Sequence, residues 1–305
     1  MLRVTLAAFA LVLTSVPAVY AVERTRLGYG NLITNDIVDG AADRWRTGSY
    51  ASSRVWGPTW SGTAPAGFGD LLELRLHGEI IAPENLRGPA PGDRLYAGAL
   101  SVGLHTHMQR GGTEYALGGD LVFVGPQTGL DSFQSELHDL LNVSEPSNAV
   151  LGAQIDNEIR PTLVAEAGRS LRTGTQATLR PFVEGRVGVE TLVRVGFDWT
   201  FGGLGQGELL VRDPVAGQRY RVITGDWTGY SFTLGADVAY VDSSVFLPDD
   251  RGPRLERTRE RVRAGIMWQG ETGLSSFAGI TYLGEEFEGQ SEGQFVGSIK
   301  LRLGF

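Results

Sequence analysis

Two polar side chains on one predicted helix have the types and spacing needed to handle a proton. The segment Phe133–Asn142, FQSELHDLLN, spaces its leucines as an amphipathic helix does, and Asp131 or Ser132 can cap its start. His138 follows Gln134 by four residues, so both side chains share one helix face. Imidazole exchanges a proton near neutral pH, and an amide can position water or substrate. On spacing alone, a catalytic role for His138 competes with an ordinary structural one.

The other three histidines carry less information. His105 and His107 lie on one face of a predicted strand, a spacing compatible with a metal pair. Neither has a carboxylate or thiol nearby in sequence, so we interpret both as unreactive side chains lining the protein interior. His77, in the middle of another predicted strand, gives no signal of its own.

A second cluster of chemically useful side chains lies near the start of the chain. Asn35, Asp36 and Asp39 are followed by the segment 43–47, DRWRT, and their oxygens could hold a hard cation such as Ca²⁺. The spacing is not that of an EF-hand, and Asn, Asp and Gly are also ordinary turn residues. A turn and a calcium site both remain open at this point.

The elements that must position these side chains are mostly strands. In Gln294–Phe305, apolar side chains alternate with polar ones that include Lys300 and Arg302, and the segment ends on an aromatic residue. Apolar side chains outside, polar ones inside and a terminal Phe are typical of an outer-membrane barrel strand. Similar strands are predicted at Leu71–Ile81, Leu95–Met108, Leu179–Val189, Leu192–Phe201, Tyr230–Val241, Arg261–Trp268 and Leu274–Phe287. We therefore predict an all-β protein, an antiparallel transmembrane barrel of about twelve strands with one short inter-strand helix.

The composition agrees with an exported barrel. Residues 1–21 have the basic start, apolar stretch and small-residue cleavage pattern of a signal peptide, which leaves residues 22–305 as a single barrel domain. The chain has 43 glycines and no cysteine. Its net charge of −8 argues against nucleic acid as a partner, and it is compatible with a divalent cation or a cation-bridged lipid layer.

Blocks of sequence along nearly the whole mature chain resemble the outer-membrane lipid A 3'-O-deacylase family. The blocks occur in the family's order: Thr34–Tyr50, Glu79–Gly98, Gly119–Leu141, Gln154–Glu158 and Arg180–Gly202, followed by the aromatic C-terminus. Each block alone is a weak pattern, whereas five in order form a fairly specific one. Arg46 and the pair Gly48-Ser49 depart from the family's usual residues.

The resemblance implies a Gram-negative outer-membrane enzyme, a twelve-stranded barrel with its active site near the outer rim. Such an enzyme depends on Ca²⁺ and hydrolyses the ester that holds the 3'-linked acyloxyacyl group of lipid A. Carried over by position, His138 would be the general base, with Gln134, Glu145 and Thr47 as further catalytic residues. Asn35 and Asp36 would bind the metal.

The partners implied are lipid A or lipopolysaccharide as substrate, outer-membrane lipid, and the barrel-assembly machinery. Arg87 and Arg94 are candidates for contacts with lipid phosphates. Two other functions remain open: a non-enzymatic pore lined by charged residues such as Arg180, Glu184 and Arg186, and a Ca²⁺-dependent outer-membrane phospholipase. The sequence contains no G-x-S-x-G motif that would suggest a serine nucleophile.

Overall fold

Twelve strands form a closed antiparallel barrel, as the alternating sequence pattern predicts. The computed structural model describes residues 24–36, 43–141 and 145–302; the proposed signal peptide and the terminal Phe305 lie outside them. Strands adjacent in sequence pair around the wall, and pairing of the first strand with the last, through Ile33 and Ile299 among others, closes the ring.

The eight strands that were delimited from sequence agree with the structure to within a few residues at most ends, whereas β1, β2, β5 and β6 were predicted only through the total count. The wall strands are β1 Thr25–Asn35, β2 Trp45–Gly57, β3 Leu71–Ala82, β4 Ala97–Arg110, β5 Thr113–Val124, β6 Glu158–Gly168, β8 Ala177–Val187, β9 Glu190–Gly202, β12 Gly229–Ser244, β13 Thr258–Gln269, β14 Ser275–Leu283 and β15 Gln294–Arg302. Three short strands are β7 Leu171–Gly174, β10 Leu209–Arg212 and β11 Arg219–Ile223. Two helices, α1 Leu130–Leu141 and α2 Asn148–Gly152, and a 3₁₀ turn at Pro126–Thr128 lie between β5 and β6.

The two faces of the wall differ as a membrane barrel requires. On β4, the side chains of Leu100, Val102 and Leu104 are exposed on the outside, while Ala99 and His105, which have the opposite parity, are buried inside. Successive side chains of a strand point to opposite faces, so this alternation gives an apolar outer belt and a largely polar lumen. Among the described residues, no helix is long and apolar enough to cross a bilayer.

A hairpin that the sequence analysis did not predict occupies the lumen. Residues 203–228 connect β9 to β12, and within them β10 and β11 pair and pack against the inner wall. Val222 of β11 belongs to one buried apolar cluster with Leu32 and Val55 of the wall. Gly30 of β1 allows this close approach, because a Cβ there would lie 2.5 Å from the carbonyl oxygen of Arg221.

Ion pairs between wall and hairpin line the remaining lumen, which keeps a cavity of about 360 Å³. Arg212 of the hairpin binds Glu166 at 2.7 Å and Asp198 at 2.8 Å, and its guanidinium lies 3.6 Å from the centre of the Phe182 ring. The side chains suggested as a pore lining take part in the same way. Arg180 pairs with Glu166 at 2.7 Å, and Glu184 lies between Arg186 and Arg194. Buried charges require such partners, and the pairs join the hairpin to the wall.

The two ends of the barrel carry different connections. At the end where the hairpin enters, β4 and β5 are joined by a two-residue turn. The opposite end, here called the loop rim, carries most of the longer connections, 36–44, 83–96, 125–157, 245–257 and 284–293. Both candidate clusters from the sequence lie at the loop rim.

Candidate active site

A bulge in β2 places Thr47 in the candidate site. The pairing of β2 with β3 shifts register between Arg46 and Gly48, so Thr47 is the extra residue. Arg46 points into the lumen, where it binds Glu79 and Glu286. A bulge re-aims the side chains next to it, and here it turns the Thr47 hydroxyl toward Asp43, 3.0 Å away.

The backbone just before the bulge is strained. Asp43 and Trp45 have φ angles of 43° and 56°, a left-handed conformation that non-glycine residues rarely adopt. Trp45 is held in place because its ring is buried against Leu247 and Phe287. Strained backbone of this kind persists only where the surrounding packing and hydrogen bonds hold it in place. Such residues are concentrated at functional sites.

Four oxygen-bearing side chains meet at the ends of β1 and β2. The Thr47 hydroxyl lies 3.5 Å from Asp36 Oδ1, and the backbone N–H of Arg44 donates to Asp36 Oδ2 at 3.2 Å. Asn35 Nδ2 donates to the carbonyl of Thr47 at 2.8 Å. Burial, and secondarily the negative charge of Asp43, raises the pKa of Asp36 to about 7. Two carboxylates thus lie close together, and Asp36 is fully buried.

The chemistry of this cluster fits a hard cation. Carboxylate, hydroxyl and amide oxygens are the donors that Ca²⁺ takes, and a bound cation would offset the burial and the repulsion by Asp43 that together raise the pKa of Asp36. Within the ranges that the structure describes, no group of three or more His, Cys, Asp or Glu side chains is arranged as a metal site. The two carboxylates would therefore rely on the neutral oxygens of Asn35 and Thr47, or on water, to complete a coordination shell.

Helix α1 packs on the outer side of the barrel wall. Gly98 of β4 has the same parity as the lipid-facing Leu100 and Val102, and a Cβ on Gly98 would lie 3.0 Å from the Cβ of Leu130 and 2.7 Å from Thr128 Oγ1. The missing side chain lets the start of α1 lie against the strand. The candidate site therefore lies where α1 meets the outer face of the loop rim.

Gln134 and His138 lie on the face of α1 that meets the strand ends, and both are buried. The hydroxyl of Tyr96 donates to Gln134 Oε1 at 2.8 Å, which fixes the amide with its Nε2 toward His138 Nε2, 3.4 Å away. An amide N–H can only donate, so this contact requires an unprotonated Nε2 on the imidazole. Asp43 Oδ2 lies 3.6 Å from the same nitrogen. The helix and the strand-end cluster thus form one site.

The structure brings together five of the six side chains that the sequence analysis singled out. They are Asn35, Asp36, Thr47, Gln134 and His138. The sixth, Glu145, is exposed, and the carboxylate beside the imidazole belongs to Asp43 instead. Asp43 lies in the oxygen-rich segment noted from sequence, but no spacing signal links it to a histidine 95 residues later.

The structure also shows the surroundings of the two histidines on β4. His105 and His107 face the lumen, as expected, but each has a carboxylate partner from a neighbouring strand. His105 Nε2 lies 2.9 Å from Asp120, and His107 Nε2 lies 2.6 Å from Glu73. These carboxylates are far from the histidines in sequence, so they were not recognised as partners. Pairing between neighbouring strands brings them side by side.

A buried ion-pair cluster underlies the site on the lumen side. Glu286 binds Arg46 at 2.9 Å and Arg259 at 3.4 Å, and its shortest pair is with Arg94 at 2.5 Å. Burial alone would raise the pKa of Glu286, but Arg46, Arg259 and Arg94 together hold it well below its usual range. Arg94 is completely buried in this cluster, whereas Arg87, the other arginine considered for lipid phosphates, is exposed.

Comparison with known proteins agrees with this architecture. Among solved structures, LpxR from Salmonella typhimurium matches with a TM-score of 0.74 and 16% identity over 90% of this chain and all of that one. The P. putida toluene transporter TodX matches at 9% identity over 92% and 90% of the two chains, with a TM-score of 0.31, too low to indicate a common fold. A search of curated proteins gave no match.

The family comparison covers almost the whole chain. The sequence profile described as "Outer membrane protein LpxR" matches residues 6–305. Together with the twelve-stranded barrel, this match identifies the chain as an integral outer-membrane protein. It belongs to the family of the outer membrane protein LpxR.

Proposed function

We propose that this protein is an outer-membrane lipid A deacylase that hydrolyses the ester of the 3'-linked acyloxyacyl group. One observation carries the proposal: His138 lies between an amide and a carboxylate on the lipid-facing side of the wall. Family membership supports a lipid A substrate. The choice of the 3'-linked ester rests on the resemblance of the sequence blocks from Thr34 to Gly202.

In the proposed reaction, His138 is the general base. A water molecule takes the place of the Gln134 amide at Nε2, and Nε2 accepts its proton as the water oxygen attacks the ester carbonyl carbon. When the tetrahedral intermediate collapses, the same proton passes to the departing sugar oxygen, which leaves an alcohol and a free fatty acid. Asp43, 3.6 Å from Nε2, stabilises the imidazolium formed between these steps.

The other residues of the site position these groups. Tyr96 orients the Gln134 amide, and Gln134 holds the imidazole and the attacking water. The Thr47 hydroxyl donates to Asp43 and keeps its carboxylate directed at the site. Asn35, Asp36 and Asp43 would hold Ca²⁺, which when bound supplies a positive charge for the developing oxyanion. Glu145 is exposed. Asp43 already provides the carboxylate beside the imidazole, so the scheme gives Glu145 no role.

A pore is a poorer explanation of the structure. The β10–β11 hairpin and the ion pairs of Arg212 and its neighbours obstruct the lumen, and a pore has no use for a helix that presents Gln134 and His138 outside the wall. A phospholipase would use the same ester chemistry, so the products must distinguish the two enzymes.

The deciding experiment is mass spectrometry of lipid A and phospholipids from a Gram-negative host that expresses the wild type or His138→Ala, with Ca²⁺ present. We expect the wild type to remove one acyloxyacyl group from lipid A and the variant to remove none. Heat-modifiable mobility on gels would show that both barrels are folded. Wild-type turnover by His138→Ala would refute the general base, and lysophospholipid without altered lipid A would favour the phospholipase.

A further inference from the structure

Helix α1 presents three distinct faces. Successive residues of a helix are rotated by about 100°, which puts Gln134 and His138 together on the buried site face. Phe133, Leu137 and Leu140 form a second stripe beside it. Their side chains are 56%, 40% and 80% exposed. A contiguous apolar stripe of this kind on a short helix marks an interaction surface.

The third face of the helix is polar and exposed. Ser132 and Asp139 lie about 100° from the apolar stripe, on the side away from the site. Helix α1 thus has the wall on one side, an apolar stripe on the next and a charged edge beyond it. This is the pattern of a helix that lies in a membrane interface. Its apolar stripe would then face acyl chains and its charged edge would face the headgroups and water.

The apolar stripe also continues a surface that already faces lipid. The start of α1 rests on Gly98, on the outer side of β4, directly above the exposed Leu100 and Val102. On the adjoining strands, Leu121 of β5 and Ile159 of β6 are exposed on the same outer face. The apolar surface of the helix and the lipid-facing belt of the barrel therefore form one surface.

We infer that α1 is embedded in the outer leaflet, with Phe133, Leu137 and Leu140 in contact with acyl chains. Continuity with the barrel belt identifies the occupant as lipid, because the belt is already covered by acyl chains in the membrane. This inference goes beyond the proposed reaction and does not depend on it. With α1 embedded in the leaflet, the candidate site beside it lies at the level of the membrane surface.

Site-directed spin labelling can test the inference, since the chain has no cysteine and a single introduced thiol is unique. Leu140→Cys and its neighbour Asp139→Cys would each be labelled and placed in phosphatidylcholine vesicles, with Leu104→Cys on β4 as a lipid-facing reference. The measurement compares collision of the label with oxygen, which concentrates in lipid, and with a water-soluble nickel chelate.

We expect the oxygen-to-nickel collision ratio at position 140 to exceed one, as at position 104, and to fall below one at position 139. A nickel-accessible label at position 140 would place this face in water and overturn the inference. A label that neither reagent reaches would mean that protein, such as a second copy of the chain, covers the face, which also overturns it. Leu137→Cys provides a second position on the stripe, and because collision is the readout, a catalytically inactive protein would give the same result.

Discussion

The carboxylate of Asp43 contacts both halves of the site. One oxygen accepts the Thr47 hydroxyl at 3.0 Å, and the other lies 3.6 Å from His138 Nε2. It also stands close enough to Asp36 to raise the pKa of that group. Asp43 therefore links the residues proposed to bind the metal with the proposed general base. The left-handed backbone at Asp43 accompanies this position.

Replacing Asp43 should slow acyl release without unfolding the barrel. Asp43→Asn keeps the shape of the side chain but removes the charge that stabilises the imidazolium, so we expect a loss of about 10²-fold in turnover. Glu145→Gln is the matched control, because Glu145 is exposed, and its activity should stay near that of the wild type. The reverse pattern, with Glu145→Gln slow and Asp43→Asn active, would assign the ring's partner to Glu145.

The raised pKa of Asp36 predicts how calcium dependence changes with pH. With a pKa of about 7, Asp36 is largely protonated below neutrality, and a proton there competes with a cation. The Ca²⁺ concentration needed for half-maximal activity should therefore fall as pH rises from about 5 to about 7 and change little above that. The assay is a calcium titration of acyl release at several pH values. In Asp36→Asn, where no carboxyl remains to titrate, this fall should disappear, and its persistence would point to another group.

At the scale of elements, regular strands and helices can be predicted from the periodicity of the sequence. Features that depend on contacts between distant residues cannot. Alternation placed eight of the twelve wall strands, and helical spacing placed α1 with Gln134 and His138 on one face. The bulge at Thr47 has no local signature, because it arises from how β2 pairs with β3. The short strands β10 and β11 escaped prediction because LLVR and RYRVI are too short and too uniformly buried to alternate.

The contact between α1 and the wall depends on one missing side chain. Gly98→Val would place carbon atoms where Leu130 and Thr128 now pack, so α1 should shift outward and move His138 away from Asp43. We expect acyl release to fall at least about 10²-fold, since misplacement by about 1 Å is sufficient for such a loss. Gly185→Val on β8, where an added Cβ meets no atom within 4 Å, is the matched control. Equal activity of both variants would show that α1 does not need this contact.

At the scale of the whole molecule, the hairpin that obstructs the lumen distinguishes this barrel from an open channel. The hairpin is tied to the wall by apolar packing at Val222, by the ion pairs of Arg212, and by the hydrogen bond of 2.7 Å between Tyr220 and Ser53. The charged strand residues that suggested a pore from sequence alone are partners in this packing. Sequence alone showed that charges face inward but not that a connection between strands folds back to meet them.

Electrical recording checks this interpretation. The wild-type protein in a planar lipid bilayer should show no steady ion conductance. A variant in which residues 206–227 are replaced by a short turn should conduct, because the wall would then surround a less obstructed lumen. Steady conductance by the wild type would restore the pore hypothesis.

The position of the site on the outer wall determines the space in which enzyme and substrate meet. With α1 embedded in the leaflet, the site between α1 and the strand ends adjoins the leaflet itself, so a lipid substrate arrives by sideways diffusion and need not leave the membrane. Encounter is then two-dimensional, and the relevant concentration is the mole fraction of substrate among surrounding lipids. Diluting the substrate with inert lipid, at constant total substrate, should slow the reaction, whereas diluting the whole suspension with buffer should leave the turnover per enzyme unchanged.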